Sequence, residues 1–232
     1  MTEKTGFRRR DLKGPDEFIS TFGRAIAWCK ENRTKFAAGA IGVVAVVALA
    51  LGARAYMQME ENKSARDLWP VLDRAQGILS APYAADPSQL ASVERILQEH
   101  VSRYPNTRDT VYSLYYLGSI AFYRGNPDLA ISRFRSGIAT GKETGIMKYL
   151  LLQGIASSLE AKGDFMAAAS SYRDAEAVAG AGMKTESMMG EARVLALAGK
   201  KSEAAALYRR ILKDTPDTPL RDLVEIQLAQ TE

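Results

Sequence analysis

The sequence contains very little of the side-chain chemistry on which redox, metal and nucleophilic sites are built. Its 232 residues include one cysteine, Cys29, and one histidine, His100. A single cysteine cannot form an intramolecular disulfide, and together the two residues supply neither a Cys/His catalytic pair nor a zinc cluster. His100 is expected to pack or to face solvent on a helix. We therefore expect no metal and no cofactor, and a fold that is stabilised by packing.

The sequence also has no recognisable active-site motif. Residues 180–185, with the sequence GAGMKT, have some likeness to a phosphate-binding loop, but that loop needs glycine directly before the lysine and a preceding strand. We interpret this segment as a turn between repeats. Aspartate and glutamate are abundant, yet exposed helical faces normally carry them, and their number identifies no catalytic pair. The sequence therefore predicts a protein that is not an enzyme.

One long run of the chain has no charged residue at all. It extends from Phe36 to Ala53, a length of 18 residues. As a helix that rises about 1.5 Å per residue, it covers roughly 27 Å, close to the thickness of the hydrocarbon core of a bilayer. We predict a transmembrane helix at 36–56, with Arg54 and Tyr56 at the outer interface.

The positive charge of the chain lies on the N-terminal side of that run. Residues 1–35 contain nine Lys and Arg against five Asp and Glu, which accounts for the whole net charge of +4. Basic residues beside a span favour retention in the cytoplasm, so residues 1–35 are predicted to form a cytoplasmic tail and residues 57–232 an exported domain. Because the exported part has no basic stripe of its own, we expect no nucleic-acid partner.

A cleaved signal peptide is the alternative interpretation of this region. Residues 48–50 (Ala-Leu-Ala) and 53–55 (Ala-Arg-Ala) both resemble small-x-small cleavage sites. A basic region of 35 residues is longer than an ordinary n-region, and the apolar run exceeds the roughly 7 to 15 residues of an h-region. These lengths favour an uncleaved signal-anchor.

The tail and the span each carry a further pattern. Apolar residues of the tail recur at helical spacing after a start signal at residues 14–16, which predicts an amphipathic helix on an anionic leaflet or against a partner. A basic tail that only orients the span is the alternative. Small residues share one face of the span, a pattern that lets membrane helices self-associate. The residues are Phe18, Phe22, Ala25, Ile26 and Cys29 in the tail, and Ala38, Gly42, Ala45 and Gly52 in the span.

Beyond the span the sequence shows a repeated helical hairpin and no convincing strand pattern. Gly125, Gly163 and Gly199 lie at the predicted turns, 38 and 36 residues apart. Self-similarity at such a period is typical of a solenoid, in which each helix pair leaves an apolar face that its neighbour covers. The sequence therefore predicts an all-α fold, with an N-terminal transmembrane helix followed by a helix-hairpin solenoid.

The hairpins resemble tetratricopeptide repeats in the positions of their small and apolar residues. The resemblance implies repeats at 110–140, 147–180 and 184–216, with small residues wherever two helices cross closely. The matching residues are Leu114, Leu117, Gly118, Ala121, Gly125, Ala130, Phe134 and Gly137 in the first repeat, Leu152, Ile155, Ala156, Leu159, Gly163, Ala168, Tyr172 and Ala175 in the second, and Met188, Ala192, Leu195, Gly199, Ala204, Tyr208 and Pro216 in the third.

The match is weaker in the third repeat and at both ends of the array. Glu191 occupies a position where an apolar residue is usual, and Ile211 one where a small residue is usual, so the local helix crossing is expected to differ. A degenerate helix pair at 57–105 is expected to cap one end, with Pro70 bending its first helix or marking its start. Residues 219–232 are expected to form a cap helix at the other end.

In tetratricopeptide domains the first helix of each pair lines a concave groove, and the resemblance transfers this role to twelve residues here. The groove would be aromatic at one end and polar at the other, which suits an extended or unfolded polypeptide. It lacks the Lys and Asn pattern that holds a C-terminal carboxylate in some relatives. For Tyr112 and Tyr115, packing against the capping helices is the alternative. The twelve residues are Tyr112, Tyr115, Ser119, Phe122, Tyr123, Leu150, Gln153, Ser157, Glu160, Glu186, Met189 and Arg193.

A short basic tail, one span and an exported array of repeats together resemble the bacterial inner-membrane family of ancillary Sec translocon subunits. The resemblance implies a periplasmic domain that binds the Sec translocon, periplasmic chaperones or exported polypeptides, and that assists protein translocation. A non-catalytic assembly scaffold of an envelope complex is the alternative function.

Overall fold

The computed structural model describes the backbone of residues 16–80 and 86–231, and the side chains from residue 23 onward within these ranges, except those of residues 25 and 181. Every regular element in this part of the chain is an α-helix, so the all-α prediction is confirmed here. The helices are α1 (Asp16–Glu31), α2 (Arg33–Ser80), α3 (Pro87–Arg103), α4 (Asp109–Tyr123), α5 (Pro127–Ala139), α6 (Gly145–Ala161), α7 (Phe165–Val178), α8 (Ala181–Leu197), α9 (Lys201–Asp214) and α10 (Arg221–Thr231).

The chain divides into two compact units, Met1–Met57 and Gln58–Glu232. In the first unit every side chain from Arg33 to Met57 is exposed. Helix α2 is long and apolar enough to cross a membrane. Its uncharged run therefore has the length and the surface that the predicted span requires.

Helix α1 extends over most of the predicted amphipathic segment of the tail. Trp28 is 56% exposed and Ile26 is 45% exposed. The start signal at residues 14–15 and the side chains of Phe18, Phe22 and Ala25 lie outside the described residues. The interfacial role of this helix therefore stays a prediction.

The boundary of α2 differs from the expectation. Pro70 lies inside the helix rather than at its start, and one helix contains both the uncharged run and the first helix of the predicted capping pair. The sequence explains this, because residues 53–69 contain neither glycine nor proline and are rich in residues of high helix propensity. The loop predicted between the two capping helices falls largely on residues 81–85, which lie outside the described residues, and Pro87 occupies the first turn of α3.

The following helices form three hairpins, α4–α5, α6–α7 and α8–α9, and successive hairpins pack against one another. Gly125, Gly163 and Gly199 have φ angles of 72°, 80° and 78°, in the left-handed region that favours glycine. This confirms the predicted turns. Two of the second helices also have side-chain caps, because Asn126 accepts from the backbone N–H of Leu129 at 3.1 Å and Asp164 from that of Ala167 at 3.3 Å.

Glycines also determine how closely the hairpins approach. A Cβ on Gly118 or Gly154 would lie 2.5 Å or 2.6 Å from the ring of Phe134, so this α5 ring is held between α4 and α6. The contact recurs one hairpin later, where a Cβ on Gly190 of α8 would lie 2.6 Å from the ring of Tyr172 on α7. Since real Cβ atoms do not approach so closely, these helix pairs need glycine at the point of contact.

The two unusual positions of the third repeat are both accommodated by packing. Glu191 is 3% exposed, and its carboxylate accepts hydrogen bonds from the Arg173 guanidinium, with Nε at 2.9 Å. The buried charge is thereby paired across α7 and α8. Ile211 is completely buried in the apolar core between the helices. Glu191 is thus accommodated by a charge pair and Ile211 by apolar contact, while the difference in local helix crossing stays a prediction.

The single histidine lies in a buried polar cluster that joins α2, α3 and α4. His100 is 4% exposed, with its Nε2 atom 3.0 Å from Ser64 Oγ and its Nδ1 atom 2.8 Å from Ser113 Oγ. Ser64 Oγ is also 2.8 Å from the hydroxyl of Thr107. Burial lowers the pKa of His100 below its ordinary value of 6.5, and a bond to the Ser64 backbone only partly opposes this effect.

Gly154→Ala is expected to be about 1–3 kcal/mol less stable than Gly77→Ala, because only the first substitution forces a Cβ against an aromatic ring. Gly77 lies inside α2 with no atom near the position of a Cβ. Both substitutions replace glycine by alanine inside a helix and gain the same helix propensity, so the difference between their free energies of unfolding reports the packing at Gly154. Chemical denaturation of the full chain in detergent, followed by far-UV circular dichroism, gives the comparison. Equal stabilities would contradict the proposed contact.

Acidification is expected to destabilise the natural protein more than the His100→Gln variant. The folded state holds a neutral imidazole, whereas the imidazole of the unfolded chain takes up a proton near pH 6.5. The contribution of His100 to the free energy of unfolding is therefore fully present above that pH and is lost as the pH falls towards the lowered pKa of the folded state. Burial raises the pKa of Asp109, but this group is present in both proteins. The free energy of unfolding is measured from pH 5 to 8, and identical pH profiles would disprove the assignment.

Candidate protein-binding groove

The first helices of the hairpins, α4, α6 and α8, carry most of the predicted groove residues on one continuous surface. A cavity of about 210 Å³ lies between α4 and α6, and a cavity of about 620 Å³ extends from α6 to α10. Leu150 and Gln153 line both cavities, so the two lie side by side. We call the surface that contains both the groove, and its parts the α4–α6 cavity and the α6–α10 cavity.

Ten of the twelve predicted residues line the groove. The α4–α6 cavity contains Tyr115, Ser119, Phe122, Tyr123, Leu150, Gln153 and Ser157, and the α6–α10 cavity contains Leu150, Gln153, Glu186, Met189 and Arg193. This follows from the repeat itself, because equivalent positions of successive hairpins face the same side of a solenoid.

The structure does not bring the other two predicted residues to either cavity. The ring of Tyr112 packs beside the ring of Trp69 from α2, with centroids 5.9 Å apart, as the alternative interpretation anticipated. The Glu160 carboxylate accepts from Arg193 Nη1 at 2.5 Å and from the Tyr172 hydroxyl at 3.1 Å. Glu160 therefore contacts two residues that line the α6–α10 cavity without lining it itself.

The α4–α6 cavity is walled by aromatic rings. Phe122 and Tyr123 are in edge-to-face contact at 6.1 Å, and Tyr123 is 47% exposed. Tyr115 is more enclosed, with its ring centroid 6.0 Å from that of Phe134. Such rings offer large apolar contact area with few rotatable bonds to be ordered on binding.

The floor of the α6–α10 cavity is a hydrogen-bonded network around two tyrosines. The Tyr149 hydroxyl donates to Glu186 Oε2 at 3.1 Å and accepts from Gln153 Nε2 at 2.8 Å. The Tyr172 hydroxyl accepts from Arg193 Nη2 at 3.3 Å while it donates to Glu160. Burial raises the pKa of both tyrosines above 10.0, so both hydroxyls remain protonated donors near neutral pH.

Sequence reasoning missed several residues of the α6–α10 cavity. Tyr172 and Tyr208 were detectable, because they continue the spacing of Phe134, at intervals of 38 and 36 residues, the same as those of the turn glycines. No comparable signal marks the residues of α10, which closes the far side of the cavity. The missed residues are Tyr149, Tyr172, Gly190, Tyr208, Leu220, Leu223 and Gln227.

The charged residues that line the α6–α10 cavity are Glu186 and Arg193. Arg193 is paired with Glu160, whereas no ion pair involves Glu186 within the part of the chain that the structure describes. Across the same ranges, 16–80 and 86–231, no group of three acidic, His or Cys side chains is arranged to hold a metal ion. The geometry is that of a partly apolar binding surface with one unpaired carboxylate.

The comparisons with known proteins agree with this architecture. Residues 154–219 match the tetratricopeptide repeat family. A Podosopora anserina protein assigned to the kinesin light chains, with nearly identical TPR-like repeats, has 15% sequence identity and a TM-score of 0.60, over 72% of this chain and 86% of that chain. YrrB, described as a TPR protein with an unusual peptide-binding site, has 17% identity and a TM-score of 0.52, over 75% and 79% of the two chains.

At these identities the solved structures show the fold alone. The comparison with curated protein sequences gave no match. The family match and the structural likeness together show a tetratricopeptide-like solenoid, a fold that favours protein partners.

Proposed function

We propose that this protein is a single-pass inner-membrane protein whose exported groove binds polypeptides or chaperones near the Sec translocon. In this role it assists the handling of exported proteins and has no enzymatic activity of its own. The proposal combines the groove described above with the resemblance of the whole chain to ancillary translocon subunits.

The continuous groove is the observation that carries the proposal. Its two cavities share Leu150 and Gln153 in their linings, so an extended chain that passes over these residues can contact α4, α6 and α8 in turn. Partly exposed rings at one end and Met189 at the other provide apolar contact that does not require one fixed sequence. The hydrogen-bonded network around Tyr149 and Tyr172 reduces the ordering that binding requires, because its side chains already have partners.

The exposed apolar surface of α2 supports attachment to a membrane. Val44 and Leu49 are 67% and 74% exposed, and such a long uncovered apolar run is unfavourable in water but favourable in lipid. The basic tail favours an orientation with the N-terminus in the cytoplasm and the solenoid in the periplasm. Tethering beside an export channel would raise the local concentration of the groove without tight affinity. Self-association through the small-residue face of the span remains a prediction.

An assembly scaffold is the second candidate function. It is favoured by Leu197 and Ile226, which are 55% and 53% exposed and line neither cavity of the groove. Apolar residues outside the groove could contribute to one fixed interface with a folded partner. A scaffold predicts a stoichiometric complex that survives extraction with detergent.

A photo-crosslinking residue at Phe122 or Met189 of the full chain is expected to capture translocating polypeptides, periplasmic chaperones or translocon subunits in bacterial cells, because both positions line the groove. The same residue at Ser170, an exposed position of α7, is the matched control. Adducts are identified by mass spectrometry. The same residue placed at Ile226 tests the scaffold, which would be favoured if adducts formed there alone and with one partner that is retained in detergent. The absence of adducts at both groove positions would contradict polypeptide binding.

Alkaline phosphatase fused after Glu232 is expected to be active in bacterial cells, and the same enzyme inserted after Lys35 in the full chain, before the span, inactive, because the basic tail should remain in the cytoplasm. An N-terminal tag should stay on the membrane-bound protein at full length. A soluble product that begins near residue 51 would indicate a cleaved signal peptide. Activity of the fusion after Lys35 alone would reverse the proposed orientation.

A further inference from the structure

The α6–α10 cavity presents a negative charge that the described part of the protein does not neutralise. Glu186 is an exposed residue of α8, and among the described residues its Oε2 atom accepts one hydrogen bond, from the Tyr149 hydroxyl at 3.1 Å. The adjacent cation, Arg193, is already paired with Glu160 at 2.5 Å. Counted with Glu160, the charged groups of this cavity therefore sum to one negative charge.

The remaining wall of the same cavity is mainly apolar. Leu150 and Met189 are half-buried on one side, while Leu220 and the 45% exposed Leu223 come from the α10 segment on the other. A volume of about 620 Å³ accommodates several side chains of a polypeptide. An occupant that satisfies both features must place an apolar group in the cavity and a cation at Glu186.

We infer that the α6–α10 cavity binds an extended polypeptide segment in which an apolar residue is adjacent to lysine or arginine. The apolar side chain packs between Leu150, Met189 and Leu223, and the cation pairs with Glu186. The Tyr149 hydroxyl orients the carboxylate, because it donates to one of the two carboxylate oxygens. This inference rests on the proposed function, since it takes the groove as a polypeptide site and assigns the charge preference within it.

The test uses the full chain in lipid nanodiscs and three fluorescein-labelled nine-residue peptides. The peptides are identical except at the central position, which is Lys, Gln or Glu between two leucines. Binding is measured by fluorescence anisotropy, with empty nanodiscs as the blank. The Lys peptide is expected to bind about threefold to fivefold more tightly than the Glu peptide, the range of a solvent-accessible ion pair, and added salt is expected to reduce this ratio.

Glu186→Gln removes the charge and keeps an acceptor for Tyr149, so it should abolish the preference for Lys without loss of folding. Glu203→Gln is the matched control, because Glu203 lies on α9, pairs with Lys200 and lines neither cavity. It should leave the preference unchanged. Glu186→Lys should reverse the preference in favour of the Glu peptide.

The outcomes separate this inference from the proposed function. If Met189→Ala weakens the binding of all three peptides equally and Glu186→Gln leaves their affinities unchanged, the groove still binds polypeptides and the inferred charge preference is wrong. If no peptide binds above the blank, both proposals are overturned. If the protein forms dimers that Glu186→Gln dissociates, the occupant is a second copy of this chain, which also overturns the inference.

Discussion

The contact between an aromatic ring on one helix and a bare glycine on the next determines how closely the hairpins of this solenoid can stack. Phe134 lies against both Gly118 and Gly154, and Tyr172 lies against Gly190, at distances where any Cβ would overlap the ring. Because glycine has no Cβ atom, the two helices can cross more closely than leucine or alanine at the same position would allow. The alignment of α4, α6 and α8 along one face follows from this repeated contact.

Tyr172 connects that packing to the candidate site. Its ring is buried against α8, while its hydroxyl reaches Glu160 and Arg193 beneath the groove. One side chain therefore contributes to both the spacing of two hairpins and the position of the cation beside the α6–α10 cavity. Because Arg193 is held in this way, the unpaired carboxylate of Glu186 determines the charge that the cavity presents.

Much of the architecture could be predicted from the sequence, because the same local pattern of residues occurs in each of the three repeats. The left-handed turn at Gly163 requires glycine for steric reasons, and the same residue recurs at Gly125 and Gly199. The resemblance to tetratricopeptide repeats implied twelve groove positions, ten of which line the groove. The pairing of Glu191 with Arg173 could not be predicted in this way, because it joins two helices through side chains that share no position in the repeat.

The sequence by itself determined the helical hairpins, their turns and the uncharged run of α2, since each depends on residues close together in the chain. Tertiary structure alone decided that Leu220, directly before α10, and Leu223 of α10 line the larger cavity, that Tyr112 packs against Trp69, and that Arg193 is neutralised by Glu160. Tyr112 and Trp69 are 43 residues apart in the chain, and Arg193 and Glu160 are 33 apart. The physical reason is that propensity and periodicity specify which face of a helix is buried, whereas only the packed fold specifies which side chains meet there.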